Sequence, residues 1–391
     1  MRSSLHFGSI CLVLILGFLS SCGSSSTSDP EDLGGIEDMG GVEDLRSADM
    51  SADLDLVNNL VDSGAADDSG PDLVTMPDMT QRPPHEQLLS ELVGFGQETT
   101  GGAGGPVVTV TTLADSGAGS LREAATSQGP AWIRFLVSGV IELESAIEVL
   151  SDKTIDGRGA DITITGEGLF VQNGEGNVII NNIKIRDTSN DMIRFFNGGS
   201  NMWVHKCDLS NGGDGAFDAT EGVTGVTVSY THIFDHDKAM LVGAGSDDGD
   251  GVNMRWTAHH NWYENVVQRL PAIRFGQAHS FNNLIEWRSG TAMSTRLSPS
   301  QILVENNILA PQTNVGHKVI SLAEDRGAAK FVGNLERPLP GDTIEFEETN
   351  PESVFDPSTS YSYTAEPANG DLDAYIRANA GWQDVPFPEV P

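Results

Sequence analysis

From about residue 160 onward, short β-branched or apolar runs return at nearly constant spacing, and that repeat constrains the fold more than any other feature. The runs read Asn177-Val178-Ile179-Ile180, Asn201-Met202-Trp203-Val204, Gly225-Val226-Thr227-Val228, Asn253-Met254-Arg255-Trp256, Gln277-Ala278-His279-Ser280 and Gln301-Ile302-Leu303-Val304; successive starts lie 24, 24, 28, 24 and 24 residues apart. Gly, Asn and Asp separate them, and no amphipathic helical period accompanies them. A unit this short cannot bury its apolar face alone, so neighbouring units must stack and share one core. The predicted architecture is all-β: a single-stranded, right-handed parallel β-helix.

A second marker recurs inside each unit. Asn182, Asn261, Asn283, Asn307 and Asn334 are read as occupying matching places, with Cys207 and Thr231 in the two intervening turns. Stacked side-chain amides can hydrogen-bond along a solenoid and satisfy one another within it. Cys207 is then a small buried residue on an inner stack rather than a reactive thiol.

The repeat leaves the first part of the chain unexplained. Residues 1–22 combine Arg2, an apolar run from Ile10 to Leu19, and Ser20-Ser21-Cys22, a secretory signal too short to span a bilayer. Leu19-Ser20-Ser21-Cys22 resembles the bacterial lipobox. It implies cleavage before Cys22, lipid on its sulfur, and, with Gly23 next, anchoring to the outer membrane through the N-terminus alone. Residues 23–88 read as a disordered tether, with 15 Asp or Glu but only Arg46 as a basic residue between Asp29 and Asp78. The repeated Glu-Asp-apolar-Gly units there lack the fixed loop of ligands that a calcium-binding repeat needs. Residues 89–391 form one large domain. The formal net charge of −34 argues against nucleic acid as a partner. Only three cysteines are present, and Cys207 alone would remain for the mature domain, so no intrachain disulfide is expected.

Against this acidic background one basic knot stands out. Arg269 and Arg274 bracket Pro271, downstream of Asp214-Gly215-Ala216-Phe217-Asp218 and of His236-Asp237-Lys238. Cations beside paired carboxylates suggest a site for a metal and an anionic substrate.

These segments also carry a family resemblance. It begins at Gly94-Phe95-Gly96, continues through Thr100-Gly101-Gly102 and Asp115-Ser116-Gly117-Ala118-Gly119-Ser120-Leu121-Arg122, and takes in Asp191-Met192-Ile193-Arg194. Asp214 to Asp218, Val226 to Tyr230, His236 to Lys238, Arg269 to Arg274 and the tail from Tyr363 to Trp382 complete it. Over roughly residues 90–391 the chain resembles the pectate lyases of polysaccharide lyase family 1, whose fold is the pectin lyase-like parallel β-helix.

The resemblance implies calcium-dependent β-elimination across the 1,4 linkage of polygalacturonate, giving 4,5-unsaturated oligogalacturonides, by a monomeric enzyme with pectin as its polymer partner. A proton would leave carbon 5, beside a carboxylate already negative, and a divalent cation would absorb the charge that builds there. Asp191, Asp214 and Asp218 match the family's Ca2+ ligands, hard oxygen donors suited to that ion. Arg269 matches the Brønsted base. Because arginine is ordinarily always protonated, that role relies on Ca2+, Lys238 and Arg274 disfavouring its charged form. The competing reading is that Arg269 polarises and positions while a water takes the proton. Lys238 and Arg274 match residues that hold the substrate carboxylate, and Arg296, one turn on, a further substrate-binding arginine. His259 and His260 are expected to be packed structure.

Two departures from the family pattern stand out. Members commonly read Trp-Ile-Asp-His-Cys where this chain has Trp203-Val204-His205-Lys206-Cys207, which puts local packing near the calcium site in question. Ser189 stands where some members place an additional carboxylate, so a second calcium site is not expected there. The alternatives are pectin lyase, acting on methyl-esterified substrate without calcium, a hydrolase on the same fold, and a non-catalytic pectin-binding surface protein. The first would lose the acidic ligands, the second would need an Asp acid–base cluster, and the third does not require this arrangement.

Overall fold

A computed structural model describes residues 84–244, 251–296, 299–313, 317–322 and 327–388. The expected leader, Cys22 and nearly all of the expected tether lie outside the described residues. The short helix Pro84–Leu89 does not: Leu88 is buried against Ile179 and Trp203, so the packed body begins ahead of residue 89.

Among the described residues, ten parallel strands from Val107–Val110 to Ala328–Val332 stack into one ladder. The remaining strands make two further parallel ladders. The second runs from Gly139–Glu142 through Lys184–Thr188 and Trp262–Gln268 to Leu335–Glu336, and the third from Ile147–Glu148 through Ile193–Phe196 and Gly215–Ala219 to Ile344–Glu345. The 11-residue strand His232–Val242 belongs to both: its first half pairs with Trp262–Gln268, its second with Gly215–Ala219 and Ala272–Ile273. The chain is an all-β parallel β-helix, as the repeat predicts.

Inward columns of Val, Ile, Leu, Met and Phe fill the solenoid, with Ile180, Val204, Val228, Ala258 and Val304 among those wholly buried. Strand pairing places Val178, Met202, Val226, Trp256, Ala278 and Ile302 in one column, so the turns are 24, 24, 30, 22 and 24 residues long. The sequence reading differs at one turn. Arg255, not Asn253, pairs with Gln277, while Asn253 closes a short 3-10 turn, Gly251–Asn253, ahead of the strand.

The amide ladder is present, with one correction. Asn283 Oδ1 accepts from Asn261 N at 2.9 Å and from Asn261 Nδ2 at 3.0 Å, and Asn307 and Asn334 continue the pattern. Asn261 Oδ1 in turn accepts from Thr231 N at 2.9 Å. Asn182 is not part of it. Strand register aligns Asn182 with Lys206, Tyr230, His260, Asn282 and Asn306, all left-handed corner residues, and puts Ile183 at the ladder position. Asn182 has φ +56° and exchanges both amide hydrogen bonds with the backbone of Gln383 in the C-terminal tail. Asparagine suits either place, because it tolerates the left-handed corner and also satisfies buried backbone. Cys207 is fully buried on the ladder column, and burial pushes its thiol up to about 12.

The outer face of the first ladder is covered by the chain's own ends. Phe95 N donates to Thr257 Oγ1 and Gly96 N to Thr227 Oγ1, each at 3.0 Å. Glycine at 94 is required twice over: φ is +118°, and a Cβ would come within 2.7 Å of Thr257 Cβ. The helix Gly370–Asn379, capped by the Asn369 side chain, lays Leu372 and Ile376 over Leu284 and Ile308 of the second ladder. That leaves the outward face of the third ladder uncovered by these segments, and the charged residues gather there.

Candidate active site

Strand pairing makes Phe170, Arg194, Asp218, Leu241, Ala272 and Ser294 successive members of one outward column of the third ladder. Adjacent members sit about 4.8 Å apart, the spacing of paired strands. Residues far apart in sequence thereby line one wall.

Asp218 is the centre of the wall. It is 5% exposed; its Oδ1 accepts from Leu241 N at 3.0 Å, and Oδ2 faces Arg269 Nη1 at 3.4 Å. Burial, followed by the repulsion of Asp191, pushes its carboxyl up to about 7, with Arg269 opposing. Asp191, one turn back and 4% exposed, is raised by burial too, while its Oδ1 accepts from Gly215 N at 2.7 Å. Gly215 leaves room for this arrangement: a Cβ there would sit 2.3 Å from Asp218 Oδ1. Asp214 is more exposed and accepts from Lys238 Nζ at 2.7 Å, a pair of small energetic worth at the surface.

Arg269 directly follows the second-ladder strand Trp262–Gln268, three positions before the third-ladder strand Ala272–Ile273, and holds the left-handed conformation, φ +63°, with its carbonyl accepting from Met240 N at 2.7 Å. That backbone turn aims the side chain at Asp218. Arg274 N donates to Val242 O at the other end of the same strand. Arg296, steadied by Ser294 Oγ at 3.2 Å, is lowered by burial and then by the charges of Arg274 and Arg269. The charges of Arg274 and Arg269 therefore reach Arg296. A cavity of about 370 Å³ opens beside them, lined by Gln268, Arg269, Ser289, Thr291, Ser294 and Arg296.

The donor set suits a hard cation: oxygen ligands only, two of them buried carboxylates whose charge is disfavoured by burial and by neighbouring carboxylates, Asp214 for Asp191 and Asp191 for Asp218. Yet among the described residues no three His, Cys, Asp or Glu stand close enough together to hold a metal ion. Asp214 leans onto Lys238 and Asp218 onto Arg269, so a cation would have to draw Asp214 off the lysine.

Two residues the sequence reading gave no role border the site. His236, two positions before Lys238, is buried, and that burial lowers its imidazole from the ordinary value, with the backbone of Asp214 and Lys238 opposing. Arg194 approaches Asp191 at 3.8 Å. Both are visible as site residues only once strand register is known.

The histidines elsewhere are structural, as anticipated. His259 Nδ1 lies 2.9 Å from His260 Nδ1, His260 pairs with Glu366, and burial lowers His259 well below its ordinary value. His205 and Lys206 do not adjoin the acidic site, contrary to expectation. They end a first-ladder strand and both reach Glu91, at 3.2 and 2.6 Å, where they fasten the N-terminal segment. Ser189 hydroxyl donates to Glu167.

Comparison with known proteins agrees with the fold. The family model described as pectate lyase matches residues 94–385. "Pectate lyase plyB" of Emericella nidulans is 37% identical over 248 residues, covering 61% of this chain and 73% of that protein. "Probable pectate lyase 6" of Arabidopsis thaliana is 33% identical over 253 residues, covering 58% of this chain, which in turn spans only 55% of that relative. The crystal structure of jun a 1, the major allergen from cedar pollen, superposes with a TM-score of 0.67 at 28% identity, covering 76% of this chain and 94% of the other. The chain belongs to the pectate lyase family.

Proposed function

We propose that the protein is a calcium-dependent pectate lyase that cleaves 1,4-linked polygalacturonate by β-elimination. The observation that carries this is Arg269: a guanidinium aimed by a left-handed backbone turn at a buried carboxylate, on a wall shared with Arg274 and Arg296. A binding surface has no need of the buried, mutually repelling carboxylates beneath it.

Lys238, Arg274 and Arg296 receive the uronate carboxylate and orient carbon 5 toward Arg269. Arg269, entering this step in its deprotonated form, takes the proton from carbon 5 and becomes the guanidinium cation; the electron pair of that C–H bond becomes the C4=C5 double bond, and the C4–O bond breaks. The leaving glycosidic oxygen is protonated from solvent. Asp191, Asp214 and Asp218 would hold Ca2+, which as a Lewis acid supplies stabilisation of the charge developing on the carboxylate. Incubation with polygalacturonate, followed by ultraviolet absorbance of unsaturated product with and without chelator, tests this. Chelator-sensitive absorbance is expected; reducing ends without absorbance would refute it.

We further propose that Cys22 carries lipid and tethers a monomeric enzyme to the outer membrane. Detergent partitioning of the full chain, lost in Cys22→Ser, is the expected result.

A further inference from the structure

We infer that Arg194, with Phe196 and Phe170, forms an additional uronate-binding subsite on the third ladder, beyond the acidic cluster from Arg269 and Arg274. The inference rests on polygalacturonate being the substrate. Arg194 is 31% exposed, and its guanidinium lies 4.1 Å from the centre of the Phe196 ring. The aromatic face holds the guanidinium in place. Its two nearest carboxylates, Asp191 at 3.8 Å and Glu221 at 4.0 Å, are beyond hydrogen-bond reach. Among the described residues Arg194 makes no side-chain hydrogen bond, so its five N–H donors are not committed to the protein. A planar fork fixed in orientation and still unsatisfied matches the two oxygens of a sugar carboxylate.

The rings beside it supply the rest of such a subsite. Phe196 meets Phe170 edge to face at 6.2 Å, and both are partly exposed on the outer surface of the ladder. An apolar ring face there, next to a cation, suits the C–H face of a pyranose whose carboxylate reaches Arg194. On an acidic protein these residues extend the cationic wall past Asp218 rather than ending it at Lys238. Arg194 lies one turn from Asp218 and three from Ala272, the turn of Arg269 and Arg274. At the strand-pair spacing that is about 14 Å along the column. Only a chain of several sugars spans the distance, so the subsite is felt by long substrates and not by short ones.

The test is turnover of defined oligogalacturonates, from trimer to hexamer, by the whole protein and by Arg194→Ala, Arg194→Lys and Phe196→Ala. For Arg194→Ala, kcat/KM on the hexamer is expected to fall about tenfold or more, the loss of a charged hydrogen-bonded contact. With calcium saturating, the loss should be much smaller on the shortest substrate cleaved than on the hexamer, and the bond broken in the hexamer should shift. Arg194→Lys should recover only part of the loss. Equal losses at every length, accompanied by a weakened calcium requirement, would mean that Arg194 merely neutralises Asp191, and unchanged kinetics at every length would remove the subsite altogether. If the parent yields no unsaturated product, the lyase reading fails by itself. Calorimetric binding of the hexamer, weaker for Arg194→Ala than for the parent or equal in both, then decides the subsite independently of turnover.

Discussion

Asp218→Asn should make the calcium-free protein more stable at pH 8 and less responsive to calcium. Asp218 is buried, and its carboxyl is pushed up to about 7 from an ordinary value of 3.8, by burial first and by Asp191 second. The native state therefore keeps this proton over a range where the unfolded chain has lost it. Stability from this group is greatest below about pH 4 and falls as pH rises through about 7. A gap of about three units corresponds to about 4 kcal/mol at pH 8. Asparagine keeps an oxygen to accept from Leu241 N, but its amide would face Arg269 Nη1, donor to donor, where the carboxylate stood at 3.4 Å. That mismatch offsets part of the gain and leaves about 2 kcal/mol.

Urea unfolding followed by circular dichroism, in chelator at half-unit steps from pH 4 to 8, measures the effect. The variant should be the less stable by about 1–2 kcal/mol near pH 4, the two curves should cross near about pH 5, and the variant should be the more stable by about 2 kcal/mol from about pH 7 upward. Calcium should then reverse the order at pH 8, because binding only to the native parent raises its stability in proportion to the logarithm of free calcium. Parallel pH profiles for the two proteins would refute the electrostatic account of Asp218; parallel calcium responses would refute its place among the ligands.

Other residues give independent checks. Arg269→Lys should retain the fold by circular dichroism yet lose at least about a hundredfold in kcat, since a flexible ammonium cannot reproduce a guanidinium held by its backbone turn. Gly215→Ala should weaken the apparent calcium affinity, read by chelator titration of activity, because the added Cβ must displace the Asp218 carboxylate 2.3 Å away. Asn283→Ala should cost more than about 3 kcal/mol in urea unfolding, as it strips partners from Asn261, Asn307 and the Ala258 carbonyl at once. Asn182→Ala, whose amide meets only the tail at Gln383, should cost about half as much. Cys207 should resist thiol reagents at pH 8 in the native protein and react once unfolded, its thiol being buried and pushed up to about 12.

The solenoid was legible because its signal is repeated: each turn restates the same apolar run, and errors in one turn do not spoil the others. Register was less legible. Asn253-Met254-Arg255-Trp256 imitates the earlier Asn-initiated runs, but the stretch from Val242 to Trp256 is seven residues longer than that between their strand partners Ala219 and Val226, and it lengthens that turn to 30 residues. Asn182 shows the same weakness at one residue's resolution, since asparagine is favoured both at the left-handed corner and on the inner ladder next to it. The site residues Asp191, Asp214, Asp218, Lys238 and Arg269 were found through motif likeness, and the strand pairing supplies the physical reason they meet. Arg194 and His236 carried no separate signal: their significance comes from which residues stack above and below them.

The same stacking explains why the carboxylates and arginines are interleaved rather than segregated. Alone, Asp191 and Asp218 would be two buried like charges, and Arg269, Arg274 and Arg296 three crowded cations. Placed on adjacent turns, each group offsets the other: Arg269 moderates the rise at Asp218, and Asp214 occupies Lys238. The offset is incomplete, because Asp218 remains raised with its arginine 3.4 Å away. A cation bound to the carboxylates would complete their neutralisation and, by the same act, remove the negative charge that Arg269 and Lys238 face. Lys238 would then be left to find a new anion, and the substrate carboxylate is the one at hand. Metal and polymer should accordingly bind with positive cooperativity, each tightening the other by the same factor. Hexamer affinity measured across a calcium series on an inactive Arg269→Lys background should rise with calcium, and calcium affinity should rise equally with hexamer. Independence of the two would show that the interleaved charges balance the fold without coupling the ligands.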